Sequence, residues 1–263
     1  MDEHEAYLFD LQGFLAIPDA LSADEVGEID GLFQTRVDEL VPADANTWRF
    51  EYPFDWSPAV RRLLDHDRLR PYLEAILGEG YRLDHDYADL IRHGLGPIGA
   101  MVHGGGTPHS FAEWYEFRDG RPRSGLAVVA INLRDVNAGD GGFAAVPGSH
   151  KANLPFPPDW RDLQVDLATE RPFVRPVTGP AGTAVIFTEA LSHGTLPWTG
   201  AGERRTLFLK FSPHALSWSA TWYDADRYPE LTERQRAILE SPNARYRNRK
   251  IGTRTPASID GGG

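Results

Sequence analysis

Hydrophobic positions recur at helical spacing in the first third of the chain and in short alternating runs after it. Ser22 and Glu25 form a capping box, the signature of a helix start. The apolar positions behind it are Val26, Ile29, Leu32, Phe33, Val37 and Leu40. Pro58 occupies the first position of a second predicted helix. A third predicted helix contains Leu69, Leu73, Ile76 and Leu77 and ends at Gly78, and a short one is predicted at 232–239.

From Tyr81 onward the pattern changes to short apolar segments separated by Gly, Pro, Asn and Asp. Segments of this length and punctuation favour strands of a sandwich or barrel, here at 97–102, 126–133, 143–146, 183–187 and 206–211. Helices followed by strands predict an α+β fold: a jelly roll with the N-terminal helices packed on one side. The pattern has no repeat or linker, so 1–263 is expected to form a single domain.

Composition limits the possible partners. The formal net charge of −11 argues against a nucleic-acid polymer or an anionic membrane surface, although a small anion in a locally basic pocket remains possible. The absence of cysteine excludes disulfides and thiolate chemistry. The acidic start of the chain does not resemble a signal peptide, and no apolar run is long enough to span a membrane. A cytoplasmic location is expected.

Two of the nine histidines stand out by position. His103 follows the predicted strand 97–102 and begins the run His103-Gly104-Gly105-Gly106, while His193 follows the predicted strand 183–187 and a turn. Both therefore lie at strand ends, where a jelly roll has its mouth. His150 lies in a tight turn, and we expect its ring to cap backbone groups beside the pocket.

Arg204 is a candidate anion-binding residue. It lies on a predicted apolar strand, where a guanidinium is costly unless it meets an anion, and its planar fork suits a carboxylate. Thr195 could donate its hydroxyl to the same carboxylate. The adjacent Arg205 is interpreted as a surface residue.

Several of these motifs, in this order, resemble one family. The segment from Gly141 to Lys151 reads GGFAAVPGSHK and looks like the signature of the phytanoyl-CoA dioxygenase family of iron(II)/2-oxoglutarate enzymes. The opening GFLAIP at 13–18, and an arginine eleven residues after His193, are similar as well. The resemblance spans about residues 8 to 215.

The resemblance implies a double-stranded β-helix in which His103 and His193 bind Fe(II) and Arg204 binds 2-oxoglutarate, with O2 as co-substrate. Gly105 departs from the pattern, because most members have Asp or Glu there. In this respect the chain is similar to the halogenase branch, in which Gly or Ala leaves room for chloride on the metal. A halogenase that chlorinates an unactivated carbon of a small molecule, with His103, Gly105 and His193 as its catalytic residues, is the resulting prediction.

Two alternatives stay open. A carboxylate from Glu113, Glu116 or Asp119 could reach the metal, and the enzyme would then be an ordinary hydroxylase of the family. The chain could instead have lost its iron and act as a binding module.

The connection 107–124 is expected to cover the pocket. Trp114, Tyr115 and Arg118 are its candidate substrate-binding residues, with further aromatic and arginine side chains nearby. Such a set suits a flat ring with an anionic arm, such as a nucleotide, and an amino acid or an indole alkaloid is equally compatible. The segment around Trp218 and Trp222 is expected over the same mouth or at a subunit contact.

Overall fold

The computed structural model describes residues 1–94, 96–220 and 222–244. The helices are α1 (Glu3–Gln12), α2 (Ala23–Leu40), α3 (Pro58–Arg61), α4 (Arg70–Leu77), α5 (Leu167–Glu170) and α6 (Glu233–Ile238). The strands are β1 (Phe14–Ile17), β2 (Thr47–Glu51), β3 (Arg82–Ile91), β4 (Tyr115–Arg118), β5 (Arg121–Ser124), β6 (Ala127–Asn132), β7 (Gly142–Ala145), β8 (Arg175–Pro176), β9 (Ala184–Thr188), β10 (His193–Leu196) and β11 (Arg204–Ser212).

The predicted helices form where their end signals stand. The Ser22 hydroxyl accepts from the amide of Glu25, and the Glu25 carboxylate accepts from the amide of Ser22, so the capping box opens α2 as expected. Gly78 ends α4, and Thr232 caps α6. The prediction of a strand at 97–102 is wrong: this segment is a loop held by isolated bridges at Met101 and His103.

The strands build two facing antiparallel sheets. The larger has six strands in the order β1-β9-β6-β11-β3-β2, and the smaller has the order β10-β7-β8. Their facing sides enclose a buried aromatic and aliphatic cluster that includes Phe143, Phe187 and Phe208. The other side of the larger sheet packs on the helices through a second, larger core that includes Phe33, Leu73 and Leu207. This is the predicted α+β jelly roll.

Alternation along β11 sends its two arginines in opposite directions. Leu207, Leu209 and Phe211 belong to the helical core, whereas Phe208 and Lys210 line the interior of the jelly roll. By the two-residue period of a strand, Arg204 faces the interior and Arg205 faces the helices. The interpretation of Arg205 as a surface residue is wrong, because it is 2% exposed and forms ion pairs with Asp30 and Glu203.

The connection 107–124 lies beside the jelly roll. Its strands β4 and β5 pair as a hairpin, and β5 packs on α4. The Tyr115 hydroxyl donates to Asp10 at 2.7 Å and the Tyr115 ring packs against Phe9, both on α1. Most of the predicted lid is therefore a brace between the helices and the sheets. Each helix among the described residues is too short or too polar to span a bilayer.

Candidate active site

A cavity of about 470 Å³ opens between the two sheets, and both candidate histidines line it. Its walls come from β2, β3 and β11 of the larger sheet, from β7 and β10 of the smaller one, and from the loop around Gly99. The loop around Trp218 closes another side. The volume is in the usual range for a small-molecule site.

His103 and His193 meet although they are far apart in sequence. Their backbones form an isolated antiparallel bridge, with N–H···O distances of 2.8 and 2.9 Å, and their ring centroids lie 4.3 Å apart. His193 begins β10 and is 6% exposed, whereas His103 lies in an exposed position on the loop. One buried and one solvent-facing imidazole thus converge at the mouth.

Backbone carbonyls orient both rings. Nδ1 of His103 lies 2.9 Å from the carbonyl oxygen of Met101, and Nδ1 of His193 lies 2.7 Å from that of Leu191. Because a carbonyl only accepts, each Nδ1 carries the proton and each Nε2 keeps its lone pair. This is the arrangement by which proteins hold histidines ready for a metal.

The electrostatics of His193 favour a neutral ring. Burial, followed by repulsion from His103, lowers its pKa to about 3, against the attraction of Glu189. The ring is therefore uncharged at pH 7 and available as a ligand.

Gly104 and Gly105 follow His103 with left-handed backbones, at φ +71° and +111°. A Cβ at Gly104 would lie 2.6 Å from the carbonyl oxygen of Leu191. A Cβ at Gly105 would lie 3.1 Å from Oγ of Ser192, and Gly105 does not line the cavity. A side chain at position 105 would therefore begin beside Ser192.

The alternative carboxylates lie in three places. Glu113 lines a separate small cavity of about 30 Å³ that shares His85, Lys210 and Trp218 with the main one. Glu116 belongs to the β4–β5 hairpin, and Asp119 pairs with Arg123 at 2.8 Å. Within the described ranges, no three His, Cys, Asp or Glu side chains are grouped so that they could hold a metal ion.

Arg204 has the properties of an anion site. It is 3% exposed, lines the cavity, and its Nε has no hydrogen-bond partner among the described residues. Burial lowers its pKa to about 10, so the guanidinium is still charged at pH 7. A Cβ at Gly142 would lie 3.0 Å from that Nε, so this glycine leaves room for the side chain. Thr195 lines the same cavity.

Aromatic side chains on β3 and in the 217–219 loop form a wall, of which the sequence indicated only the part around Trp218. His85 stacks between Tyr87 and Trp218, with ring centroids at 6.2 and 5.0 Å. The buried Asp84 carboxylate accepts from Nδ1 of His85 and from the amides of Trp218 and Ser219. One carboxylate thus holds the central ring of the wall and the loop on one side of it, and Trp218 lies over the mouth, as expected.

The other predicted residues lie elsewhere. Trp114 lines a pocket against α4, Tyr115 packs on His150, and Arg118 is exposed on the hairpin; none of them lines the main cavity. His150 has the predicted capping role, because its Nε2 lies 3.0 Å from the carbonyl oxygen of Asp10.

The residues at the cavity fit a divalent metal ion and a carboxylate ligand. Two imidazole Nε2 atoms suit a first-row divalent metal, and a buried guanidinium with an unused donor suits a carboxylate. A jelly roll with two imidazoles and a buried guanidinium at its mouth is typical of metal-dependent enzymes. The chain belongs to the phytanoyl-CoA dioxygenase (PhyH) family, whose profile matches residues 9–206. It is a non-haem enzyme whose cofactors are iron(II) and 2-oxoglutarate.

Individual relatives are distant. Ectoine dioxygenase of Sphingopyxis alaskensis is 24% identical over 220 residues, which are 73% of this chain and 69% of that protein. HygX of Streptomyces hygroscopicus, solved with nickel and 2-oxoglutarate, is 24% identical with a TM-score of 0.73, covering 85% of this chain and 90% of HygX. The non-heme alpha-ketoglutarate-dependent epimerase SnoN, from nogalamycin biosynthesis, is 18% identical with a TM-score of 0.57, covering 81% of this chain and 83% of SnoN. The two solved structures share the fold.

Proposed function

We propose that this protein hydroxylates an unactivated carbon of a small polar molecule, with iron(II) held by Nε2 of His103 and His193. The observation that carries the proposal is the convergence of these imidazoles on the cavity that contains Arg204, whose buried Nε has no partner among the described residues. When bound, the iron supplies oxidation of a C–H bond by O2, coupled to conversion of 2-oxoglutarate into succinate and CO2. The sum is R–H + O2 + 2-oxoglutarate → R–OH + succinate + CO2.

The remaining side chains orient the reactants and exclude water. Arg204, assisted by the Thr195 hydroxyl, binds the far carboxylate of 2-oxoglutarate by charge-assisted hydrogen bonds. Phe143 and Phe187 pack their rings 5.7 and 4.7 Å from the ring of His193, which keeps one side of the centre dry. Both groups act by position, the chief contribution of a protein to cofactor chemistry.

A small polar substrate is favoured by the walls of the cavity. They contain the Arg49–Asp89 ion pair at 2.8 Å, the acidic Glu51 and the exposed indole of Trp218. The relatives point the same way, since one HygX structure contains hygromycin B and another relative is named for ectoine. The arginines on which a nucleotide-like substrate was predicted lie on the hairpin, outside the main cavity.

Halogenation with chloride is the second candidate. It rests on one observation, that no third carboxylate joins the two imidazoles among the residues that the structure describes. Against it, the family and the curated relative that this chain matches are both named for dioxygenases. Hydroxylation is therefore preferred.

Succinate formation tests the oxygenase proposal. The protein is given Fe(II), 2-oxoglutarate and O2 with a panel of small polar metabolites, and succinate and product mass are measured. Wild-type protein should form succinate and add one oxygen atom to the substrate. His103→Ala should lose this activity, whereas His66→Ala, which alters a distant imidazole paired with Glu25, should retain it. A wild-type protein that forms no succinate contradicts the proposal.

Chloride separates the two candidates. Under anaerobic conditions, with Fe(II) and 2-oxoglutarate bound, the metal-to-ligand charge-transfer band should be unchanged by chloride if the enzyme is a hydroxylase. A chloride-dependent shift together with a chlorinated product would establish halogenation instead.

A further inference from the structure

The positively charged side chains that line the main cavity already have partners or an assigned role. The guanidinium of Arg49 forms two hydrogen bonds to the carboxylate of Asp89, both at 2.8 Å. Lys210 forms an ion pair with Glu189. The guanidinium of Arg204 is assigned to the far carboxylate of 2-oxoglutarate. The cavity therefore offers no further free cation to an anionic group of a substrate, as far as the described residues show.

Glu51 differs from the other acidic residues of these walls. Its carboxylate has no partner among the described residues, whereas that of Asp86 accepts from a hydroxyl and a backbone amide. Glu51 lies opposite Tyr87 in the pairing of β2 with β3, and His85 follows on the same face of β3 two residues away. Diagonal neighbours of this kind lie about 7–8 Å apart. One small charged group of a ligand therefore fits between Glu51 and His85.

His85 presents a second acceptor to the cavity. Its Nδ1 lies 2.8 Å from the fully buried carboxylate of Asp84. Because a carboxylate only accepts, Nδ1 carries the proton, and Nε2 is the acceptor of the neutral ring. None of the residues that the structure describes hydrogen-bonds to this Nε2, and His85 lines both the main cavity and the small one beside Glu113. Asp84 therefore holds the ring with a nitrogen acceptor available to a ligand.

Exposed aromatic faces complete this part of the wall. Trp218 is 50% exposed, and its ring stacks on His85 with the centroids 5.0 Å apart. Tyr52 is 44% exposed and lines the same cavity. Its backbone is left-handed at φ +56°, which is uncommon for a bulky residue and is concentrated at functional sites. Aromatic faces of this kind attract organic cations.

The groups of this wall that lack partners are thus acceptors and aromatic faces. On the basis of the proposed function, we infer that the substrate carries a cationic nitrogen group, an ammonium or a guanidinium, which donates to the Glu51 carboxylate and to Nε2 of His85. The ring of Trp218 covers the adjoining face of the substrate. An anionic group at the same place would meet the charge of Glu51 without a counter-charge. Glu51 and His85 determine specificity in this proposal and take no part in the oxidation.

Two probes of the same shape and different charge test the inference without turnover. Butylguanidinium is a cation, and butylurea is its neutral counterpart. Binding of each is measured by saturation-transfer NMR on protein supplied with Zn²⁺ and 2-oxoglutarate, which does not react with O2. Wild-type protein should bind butylguanidinium at least about tenfold more tightly than butylurea, because hydrogen bonds to charged groups are stronger than neutral ones. Equal binding of the two probes, or binding of neither, would overturn the inference.

Glu51→Gln removes the charge at the exposed end of β2 and keeps the shape. It should weaken the binding of butylguanidinium about tenfold and change that of butylurea by less than about twofold. Glu116→Gln is the matched control, because it removes one negative charge from the exposed hairpin, outside the main cavity. The control should keep the wild-type preference for the cation. An equal loss of preference in both variants would mean that overall charge, and not Glu51, attracts the probe, which contradicts the proposal.

His85→Phe keeps a flat ring between Tyr87 and Trp218 but removes the nitrogen acceptor. Both probes donate N–H groups, so the binding of both should weaken by about fivefold. The preference for the cation, set by Glu51, should remain. Unchanged affinities for both probes would overturn the role of His85, and Glu51→Gln tests the cation site even if His85→Phe does not fold.

Failure of the proposed function has a separate signature. If the wild-type protein forms succinate but does not prefer butylguanidinium, the oxygenase proposal stands and the substrate class is wrong. If it prefers butylguanidinium but forms no succinate with any cationic member of the metabolite panel, the cation site stands and the oxygenase proposal fails.

Discussion

Arg204 and Arg205 are neighbours on one strand, but their guanidinium groups have very different hydrogen-bond partners. The guanidinium of Arg205 is saturated: it donates to Glu203 at 2.8 Å and to Asp30 at 2.9 Å, and it lies over the ring of Phe33. Arg204 keeps an unused buried donor in the cavity. The free energy of binding a carboxylate is therefore available at Arg204 and not at Arg205.

Arg204→Gln should raise the KM for 2-oxoglutarate about tenfold to a hundredfold, because a charged hydrogen-bonding partner is lost. Thr195→Val should have a smaller effect, about fivefold, since only a neutral hydroxyl is removed. Steady-state succinate formation gives both values. An unchanged KM in Arg204→Gln would show that the co-substrate binds elsewhere.

Gly105→Ala should destabilise the protein by about 1–2 kcal/mol, because φ +111° is unfavourable for a residue with a Cβ. The control is Gly31→Ala on α2, where the added Cβ meets nothing within 4 Å. There the same substitution should stabilise by about 0.5–1 kcal/mol. Urea unfolding of both variants measures the difference, and a neutral or stabilising Gly105→Ala would remove the strain argument.

At the scale of elements, local signals predicted the helices well and the loops poorly. Caps and a helical apolar period depend on neighbours in sequence, which is why α2, α4 and α6 could be placed. The segment 97–102 is apolar because Val102 packs against Leu163, not because it pairs in a sheet. Such packing comes from a distant part of the chain and leaves no local pattern.

Arg205 joins two elements, β11 and α2. Arg205→Met should lower the free energy of unfolding by about 2–3 kcal/mol, since Asp30 and Glu203 would lose a buried partner. The KM for 2-oxoglutarate should not change, in contrast to Arg204→Gln. Denaturant unfolding and succinate assays measure the two effects, and a variant as stable as wild type would contradict this role.

At the scale of the whole molecule, the motifs found three residues of the candidate site but not its surroundings. His103, His193 and Arg204 could be predicted because family motifs occur in a fixed order. Trp114, Tyr115 and Arg118 were predicted because the connection 107–124 was expected to cover the pocket, yet none of them lines the main cavity. His85 could not be predicted, since only the fold brings it to the cavity beside the histidines, whereas Trp218 lies over the mouth as expected.

The free energy of unfolding should depend on pH through the titration of Asp86. Burial raises its pKa from the ordinary 3.8 to about 7, although the Tyr223 hydroxyl and the amide of Phe54 donate to it. Between these values the folded protein binds the proton that the unfolded chain has lost, so this contribution to stability declines as the pH rises from about 4 to 7.

Asp86→Asn removes that dependence. The free energy of unfolding of the variant, relative to that of wild type, should therefore rise between pH 5 and pH 8. Any effect of the substitution that does not depend on pH leaves this rise unchanged. Urea unfolding at both pH values gives the comparison, in which the opposing titrations of buried histidines cancel. Parallel pH profiles for the two proteins would mean that Asp86 is already ionised at pH 5.

The backbone carbonyl of Met101 orients the ring of His103, and that of Leu191 orients the ring of His193; each lies two residues before its histidine. A main-chain oxygen is present whatever residue carries it. Substitutions at these two positions therefore preserve the orientation of the imidazole rings as long as the backbone conformation is unchanged. The centre can persist through extensive evolutionary drift in its neighbourhood, and a redesign of the substrate pocket can alter adjacent side chains without re-engineering the metal ligands.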